Sequence, residues 1–496
     1  MATRKPARPA ADAAADSGRP LWQLTALELA RRIAAGEVSA VEAVEAHLGR
    51  MDAVQGALNA VVVRRDERAR AEARAADRMR AQGEPLGPLH GVPVTVKECL
   101  DLEGTPSTYG LPSRRQHSAL SDETHVARLR RAGAIVLGKT NVAQALAYIE
   151  SDNPVYGRTN NPWHLERAPG GSSGGEGAIV AAGGSALGLG TDIGGSVRVP
   201  AAFCGIVGLK PTAGRTPDLG RGSFPVGQRA IQSQVGVLAR SVADVAAGLE
   251  AINTVLSNTV PGEASLPLLD FSQVDLAGLR VGILYEDGVF PASAAYRRAV
   301  TEAAAALTKR GARIVELRPP APALAFEMLY RLLSADRMGG LTRVLGKNPR
   351  DPRIKQLAQA IRTPAPLLAL IKLLLRASGR SAAARIVGYF GPWDTDSHWQ
   401  WAERQIDYQL AWLAALDQAP GGPAHVVLSP PAGLPAIRHG AAVEVGIAGA
   451  YACLYNVLGW PAGTVPVTRV RPEEETATAR GKDVSDKTAA ASERGS

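Results

Sequence analysis

The feature that most constrains this chain is a rhythm. Short Val- and Gly-rich runs alternate with helical stretches over much of its length. GVPVTVK (91–97), AIVLGKT (134–140), ALGLGTD (186–192), LRVGILYE (279–286) and ARIVELR (312–318) read as strands. Between them, THVARLRRAG (124–133), NVAQALAYI (141–149), EGAIVAAGGS (176–185) and SAAYRRAVTEAAAALTKRG (293–311) carry helical patterns. A strand followed by a helix cannot bury its apolar face alone, and repeated alternation predicts an α/β core around a mostly parallel or mixed sheet.

The flanks extend this pattern. Residues 25–52 hold two helical patterns, and each has its own start signal: Thr25 with Glu28, and Ser39 with Glu42, at capping-box spacing. ALNAVVV (57–63) reads as a strand and 65–82 as a charged helix. The 340–415 region is helical and breaks the rhythm. HVVLSP (425–430) and TVPVTRV (464–470) return as late strands. Residues 1–20 read as a disordered tail rich in Ala and Pro, and the chain beyond Arg471 as a polar loop or tail.

Charge and cysteine usage exclude several functions. The 496-residue chain carries a net charge of +9. Residues 339–390 hold ten basic side chains (among them Arg353, Lys372, Arg376, Arg380 and Arg385) against one acid, Asp351. The excess is therefore local, which argues against a nucleic-acid-binding protein. The three cysteines, Cys99, Cys204 and Cys453, are odd in number and lack CxxC spacing, and no HExxH occurs. Neither a disulfide framework nor a zinc site is expected, and a reducing, cytoplasmic setting fits. No apolar h-region precedes the first helix, and no uncharged apolar run reaches the ~18 residues needed to span a bilayer.

Three segments carry chemistry: GVPVTVKE with Lys97, PGGSSGGEG with Ser172 and Ser173, and LGLGTDIGGSVRVPAAFCGIVGLKPT with Ser196. The run Ile193-Gly194-Gly195-Ser196 can turn several N–H groups toward one oxygen, as an oxyanion hole requires. A phosphate cradle and a plain flexible loop are the alternatives; neither loop ends in GK[ST]. Gly170–Gly174 also fits GxSxG, but a nucleophile elbow needs a preceding strand, and NNPWHLERAP is not one. A serine nucleophile needs a base, and no histidine sits in these motifs. Lys97 ends an apolar strand, where burial lowers an amine's pKa and lets it act as a general base.

Together the three segments resemble the amidase signature family. The resemblance runs from about Leu24 to Thr468 and includes LTALELARRI, GAIVLGKTNV and NVLGWPAGTVPVT, with Ser172 and Ser196 spaced as in the family. Within it the chain is most similar to the fatty acid amide hydrolase branch, on SDNPVYGRTNNPW, GLGTDIGGS and Glu176 in GGEG, where many relatives have Ser. The resemblance implies a large mixed β-sheet flanked by helices on both faces. It implies Ser196 as nucleophile, Ser172 as a bridging serine held by a cis peptide, Lys97 as base, and the N–H groups of Ile193, Gly194, Gly195 and Ser196 as oxyanion hole. Ser173, Asp192 and Arg198 are expected to brace the turn, Cys99 and Cys204 to be buried, and Trp163, Trp393 and Trp460 to pack in the core. The implied substrate is a small-molecule amide with a hydrophobic or fatty acyl group. The other readings are small aliphatic or aryl amides, carbamates, the glutaminase subunit of an amidotransferase, and an inactive scaffold. No cofactor or metal is implied, and a homodimer fits the family.

Two further expectations concern the second half. TPAPLLALIKLLLRASGRSAAARIVGYF (363–390) combines an aliphatic stretch with basic residues, which suits either a peripheral membrane contact through 339–390 or a lid helix with solvated charges. Family members continue past the polar loop into a Gly-Leu-Pro-Val-type strand and a final helix, whereas this sequence stops at Ser496. The position beside TVPVTRV is therefore expected to be an unpaired sheet edge.

Overall fold

The computed structural model describes residues 18–218, 228–253, 268–355, 363–379, 384, 388–389 and 394–474. Both early helices start where expected. In α1 (Ala26–Ala34) the Thr25 hydroxyl accepts the Glu28 N–H and the Glu28 carboxylate accepts the Thr25 N–H. Ser39 and Glu42 repeat the arrangement at α2 (Ala40–Leu58). β1 (Val61–Arg64) starts later than ALNAVVV suggests, because α2 runs to Leu58 and Asn59 ends it at φ 49°.

Next come α3 (Asp66–Ala81), β2 (Pro93–Lys97), α4 (Thr124–Arg131), β3 (Ile135–Thr140), α5 (Gly174–Ala181), β4 (Leu187–Asp192), α6 (Arg198–Cys204), β5 (Val207–Lys210), β6 (Gln234–Ala239) and α7 (Val242–Ile252). The second half adds β7 (Arg280–Ile283), α8 (Ala294–Lys309), β8 (Arg313–Val315), α9 (Ala323–Leu333), α10 (Gly339–Leu345), α11 (Ala365–Ala377) and α12 (Thr395–Asp417). It closes with β9 (Val426–Leu428), α13 (Ala442–Val445), α14 (Ala450–Val457) and β10 (Ala462–Thr464).

Seven strands form one mixed sheet in the order β1-β3-β2-β4-β6-β5-β10. β2 runs parallel to both β3 and β4, and the remaining pairs are antiparallel. Helices cover both faces. A Cβ on Gly188 of β4 would strike Glu176 of α5, whereas a Cβ on Gly248 of α7 would strike Leu187 and Val237. Residues 187 and 188 point to opposite faces, so α5 and α7 lie on opposite sides. A second, parallel sheet has the order β8-β7-β9.

Two expectations fail locally. NVAQALAYI is not an α-helix. It holds a single 3₁₀ turn, Gln144–Leu146, with Ala145 and Leu146 at positive φ. Its polar side chains satisfy loop backbone instead: Asn141 Oδ1 accepts the Val142 N–H, and Gln144 bonds to Pro349 O and the Asp351 N–H. Of TVPVTRV only Thr464 belongs to a strand. Pro466 has no N–H for a ladder, and β10 forms the sheet edge. A cavity of about 590 Å³ lies there, lined by Val300, Val427, Leu428, Val465 and Val467 among others.

The basic segment divides. Arg353 is nearly buried between Glu150, Asp152 and Asp351, so it serves an internal ion cluster. Lys372 and Arg376 lie on α11, where Leu367, Leu370, Leu373 and Leu374 are exposed. Arg362, Arg380, Arg385 and Trp393 fall outside the described residues. Among the described residues no helix is long and apolar enough to cross a membrane.

Candidate active site

Lys97 ends β2, fully buried, with β3 and β4 on either side. Its Nζ donates to Ser172 Oγ at 2.8 Å, and bonds Thr191 Oγ1 at 2.8 Å and Thr191 O at 3.3 Å. Burial pushes the ammonium below its ordinary pKa, against the raising influence of Cys99, Asp218, Asp192 and Glu176. A hydrogen-bonded amine held in that state can accept a proton from a hydroxyl.

Ser172 sits just before α5, after a cis peptide between Gly171 and Ser172. Gly171 is required by crowding: a Cβ there would lie 2.6–2.7 Å from backbone atoms of Tyr148, Ile149 and Glu150. Ser173 is buried beside it. Its N–H donates to Ser196 O at 3.2 Å and its hydroxyl to Thr191 O at 3.4 Å, which ties the two serine loops together.

Ser196 lies in the turn between β4 and α6 and is half-buried, unlike the sealed Ser172. The turn is braced by Asp192, whose carboxylate accepts from Gly195 N–H (2.8 Å), Val197 N–H (3.0 Å) and the Arg198 guanidinium (2.9 and 3.0 Å). Burial would raise the Asp192 pKa, but Arg198 and these hydrogen bonds outweigh it and hold the carboxyl well below the usual range. Asn456 on α14 completes the brace, donating to Asp192 and accepting from Arg198.

This brace corrects one expectation. The Gly195 N–H is spent on Asp192 and is not available to an oxyanion. Among the described residues no acceptor engages the N–H groups of Ile193, Gly194 or Ser196. Gly195 serves packing instead. At φ +111°, with a would-be Cβ 2.6 Å from Ala452 Cβ, it lets the turn press against α14. A Cβ on Gly194 would touch Leu329 and Cys453, and Ile193 packs on the apolar cluster of α9 and α14.

Other expectations divide. Cys99, Cys204 and Cys453 are buried, and burial pushes all three thiols up, Cys99 and Cys453 to about 12. Trp460 packs edge-on against buried Trp412. Trp163 is 67% exposed, so it is not a core residue; its Nε1 donates to Cys204 O. His425 bonds Arg280 and His439 meets Leu165 O. Sequence reasoning misses Thr191 and Asn456. Thr191 stands inside GLGTDIGGS, so its place in that motif is the available signal; Asn456 lies far downstream on α14 and has none. Among the described residues no cluster of His, Cys, Asp and Glu could hold a metal ion.

Comparison with known proteins completes the picture. The family described as Amidase matches residues 42–486. The glutamyl-tRNA(Gln) amidotransferase A-chain of Roseiflexus castenholzii is 38% identical over 66% of this chain and 66% of its own length. Fatty-acid amide hydrolase 1 of Sus scrofa is 36% identical over 78% of this chain and 67% of its own. The chain thus spans about two thirds of the length of these curated relatives. A solved fatty acid amide hydrolase superimposes with a TM-score of 0.76 at 28% identity, covering 89% of this chain and 73% of that one.

Proposed function

The chain belongs to the amidase family, and from that premise we propose that it hydrolyses carboxamides through an acyl-enzyme on Ser196. Neutral Lys97 takes a proton from Ser172 Oγ as Ser172 takes one from Ser196 Oγ, and Ser196 Oγ bonds to the amide carbon. The N–H groups of Ile193, Gly194 and Ser196 receive the oxyanion. The C–N bond breaks as Ser172 returns its proton to the departing nitrogen. A water molecule then cleaves the ester by the same relay, releasing the acid and freeing Ser196. The observation that carries this reading is the 2.8 Å bond between buried Lys97 and Ser172.

The acyl group is hydrophobic. Leu329 and Cys453 stand at the nucleophile turn and belong to an apolar cluster with Phe326, Met328 and Leu332. The name of the porcine relative points the same way. The exposed leucines of α11 beside Lys372 and Arg376 suit contact with an anionic bilayer, from which such a substrate would be drawn.

A fluorophosphonate probe tests the chemistry. Labelling is expected in the wild type and absent from Ser196→Ala and Lys97→Ala; undiminished labelling of either folded variant rejects the assignment. A panel of amides of rising acyl length tests the substrate. Preference for short aliphatic or aryl amides, or for glutamine, would replace the hydrophobic-acyl reading.

A further inference from the structure

The Lys97–Ser172 pair has a buried neighbour that the proposed relay does not use. Glu176 lies on the first turn of α5, four residues after Ser172, with no exposed surface. Its Oε2 accepts from Thr95 Oγ1 at 2.7 Å and its Oε1 from Thr140 Oγ1 at 3.0 Å. Thr95 precedes Lys97 by two residues on β2 and so shares its face. Thr140 is the register partner of Lys97 on β3. The third strand, β4, supplies Gly188, where a Cβ would lie 2.0 Å from Glu176 Oε2. Three adjacent strands thus make room for one carboxyl and present two hydroxyls to it, one register step from the amine.

No guanidinium or ammonium lies within ion-pair distance of Glu176 among the described residues. We propose, resting on the reading of Lys97 as the base, that Glu176 is a positioning residue that sets the pH at which Lys97 becomes free to accept a proton. The two groups titrate as a coupled pair. While Glu176 is protonated, its carboxyl gives one hydrogen bond to a threonine hydroxyl and places no charge near the amine, so Lys97 sheds its proton readily. Once Glu176 ionises, its charge holds the ammonium in place.

The surroundings agree with this division. Burial pushes the Glu176 carboxyl up to about 8, against the opposing hydrogen bonds of Thr95 and Thr140 and the charge of Lys97. Lys97 is the one charged group acting on it from the packed elements; Lys139 of β3 instead bonds Pro106 O and Ser107 Oγ. Lys97 itself faces Cys99, a thiol pushed up to about 12, Asp192, already engaged by Arg198, and Asp218, which bonds Ser233. Glu176 differs from Asp192 in that hydroxyl groups, with no cation and no backbone N–H, hold its carboxyl.

The test is the rate of fluorophosphonate labelling across a pH range spanning about 8, for wild type, Glu176→Gln and Lys97→Ala. Gln keeps the shape and the threonine contacts and cannot ionise. The acid limb of Glu176→Gln is expected about one pH unit below that of wild type, read as up to about tenfold faster labelling on the limb. Superposed limbs, or a uniform loss of rate with an unmoved limb, would leave Glu176 a packing residue and overturn the proposal. A Lys97→Ala variant that keeps the wild-type limb would instead remove Lys97 as base, a failure of the reading beneath. Should Glu176→Gln not fold, infrared difference spectra of wild type and Lys97→Ala decide. The buried protonated-carboxyl band is expected to titrate at higher pH once the lysine charge is gone, and an unmoved band overturns the proposal.

Discussion

The corner around Lys97 and the α11 segment are opposites built from similar residue types. At the corner, Lys97, Glu176, Asp192 and Arg198 are buried, and their hydrogen bonds come from several different elements. On α11, Lys372 and Arg376 share a helix with leucines that are about half exposed or more. Charge has been sealed in where geometry must be held, and apolar surface left outside. A buried charge is costly unless paired or neutralised, so the corner tolerates few substitutions. An exposed leucine costs little in the folded state, so α11 can change without harm to the fold. The contrast separates residues that act through a fixed arrangement from residues that act through the surface they present.

Replacing the nucleophile tests that division most severely. Ser196→Ala should lower turnover by several orders of magnitude. His425→Ala and His439→Ala, whose rings bond Arg280 and Leu165 O, should stay near wild type. Steady-state rates on one amide substrate check both halves. A folded histidine variant that lost comparable activity would erase the distinction between the lysine corner and the rest.

The brace comes next. Arg198→Ala removes one member of a buried ion pair and strands the Asp192 carboxylate, at a cost of about 3–5 kcal/mol. Urea unfolding measures it. The sign with pH follows from the depressed Asp192 carboxyl. Its contribution is present above the unfolded pKa of about 3.9 and is lost as pH falls through the folded value. Wild type should therefore resist acid further down the pH scale than Arg198→Ala, as circular dichroism across an acid titration would register. Equal acid midpoints would place Asp192 among ordinary surface carboxylates.

The α11 side of the comparison predicts small effects on stability. Leu370→Ser with Leu373→Ser should change it by about 0.5 kcal/mol or less per site. The same double variant should sediment less with anionic liposomes, and salt should weaken what binding the wild type shows. A large loss of stability would mean that these leucines face protein. Unchanged sedimentation would leave α11 a lid with solvated charges.

Much of the corner was legible because its requirements are local. Glycines at 171 and 195 answer close approaches of backbone or Cβ within 3 Å, and such needs leave Gly-rich motifs in the chain. The strand ending on Lys97 is marked by its valines, and the two early helices by their capping boxes. Where local preference meets a tertiary demand, the reading fails. NVAQALAYI has a helical pattern, yet Asn141 and Gln144 hold loop backbone and the chain turns instead. Trp163 reads as core and is exposed.

The sequence by itself determined the alternating α/β core, the helix starts, and the three segments that bear Lys97, Ser172 and Ser196, since each depends on residues within one or two turns of one another. Only the tertiary structure decided how those groups are used. It turned the Gly195 N–H toward Asp192 instead of a substrate oxygen, brought Thr191 to the Lys97 amine and Asn456 to the brace, and sealed Glu176 beneath two threonines. The physical reason is that hydrogen-bond partners and burial are properties of neighbours in space. A carboxyl or an amine has the same formula everywhere in the chain, and what it can do is set by which atoms the fold places within about 3 Å of it.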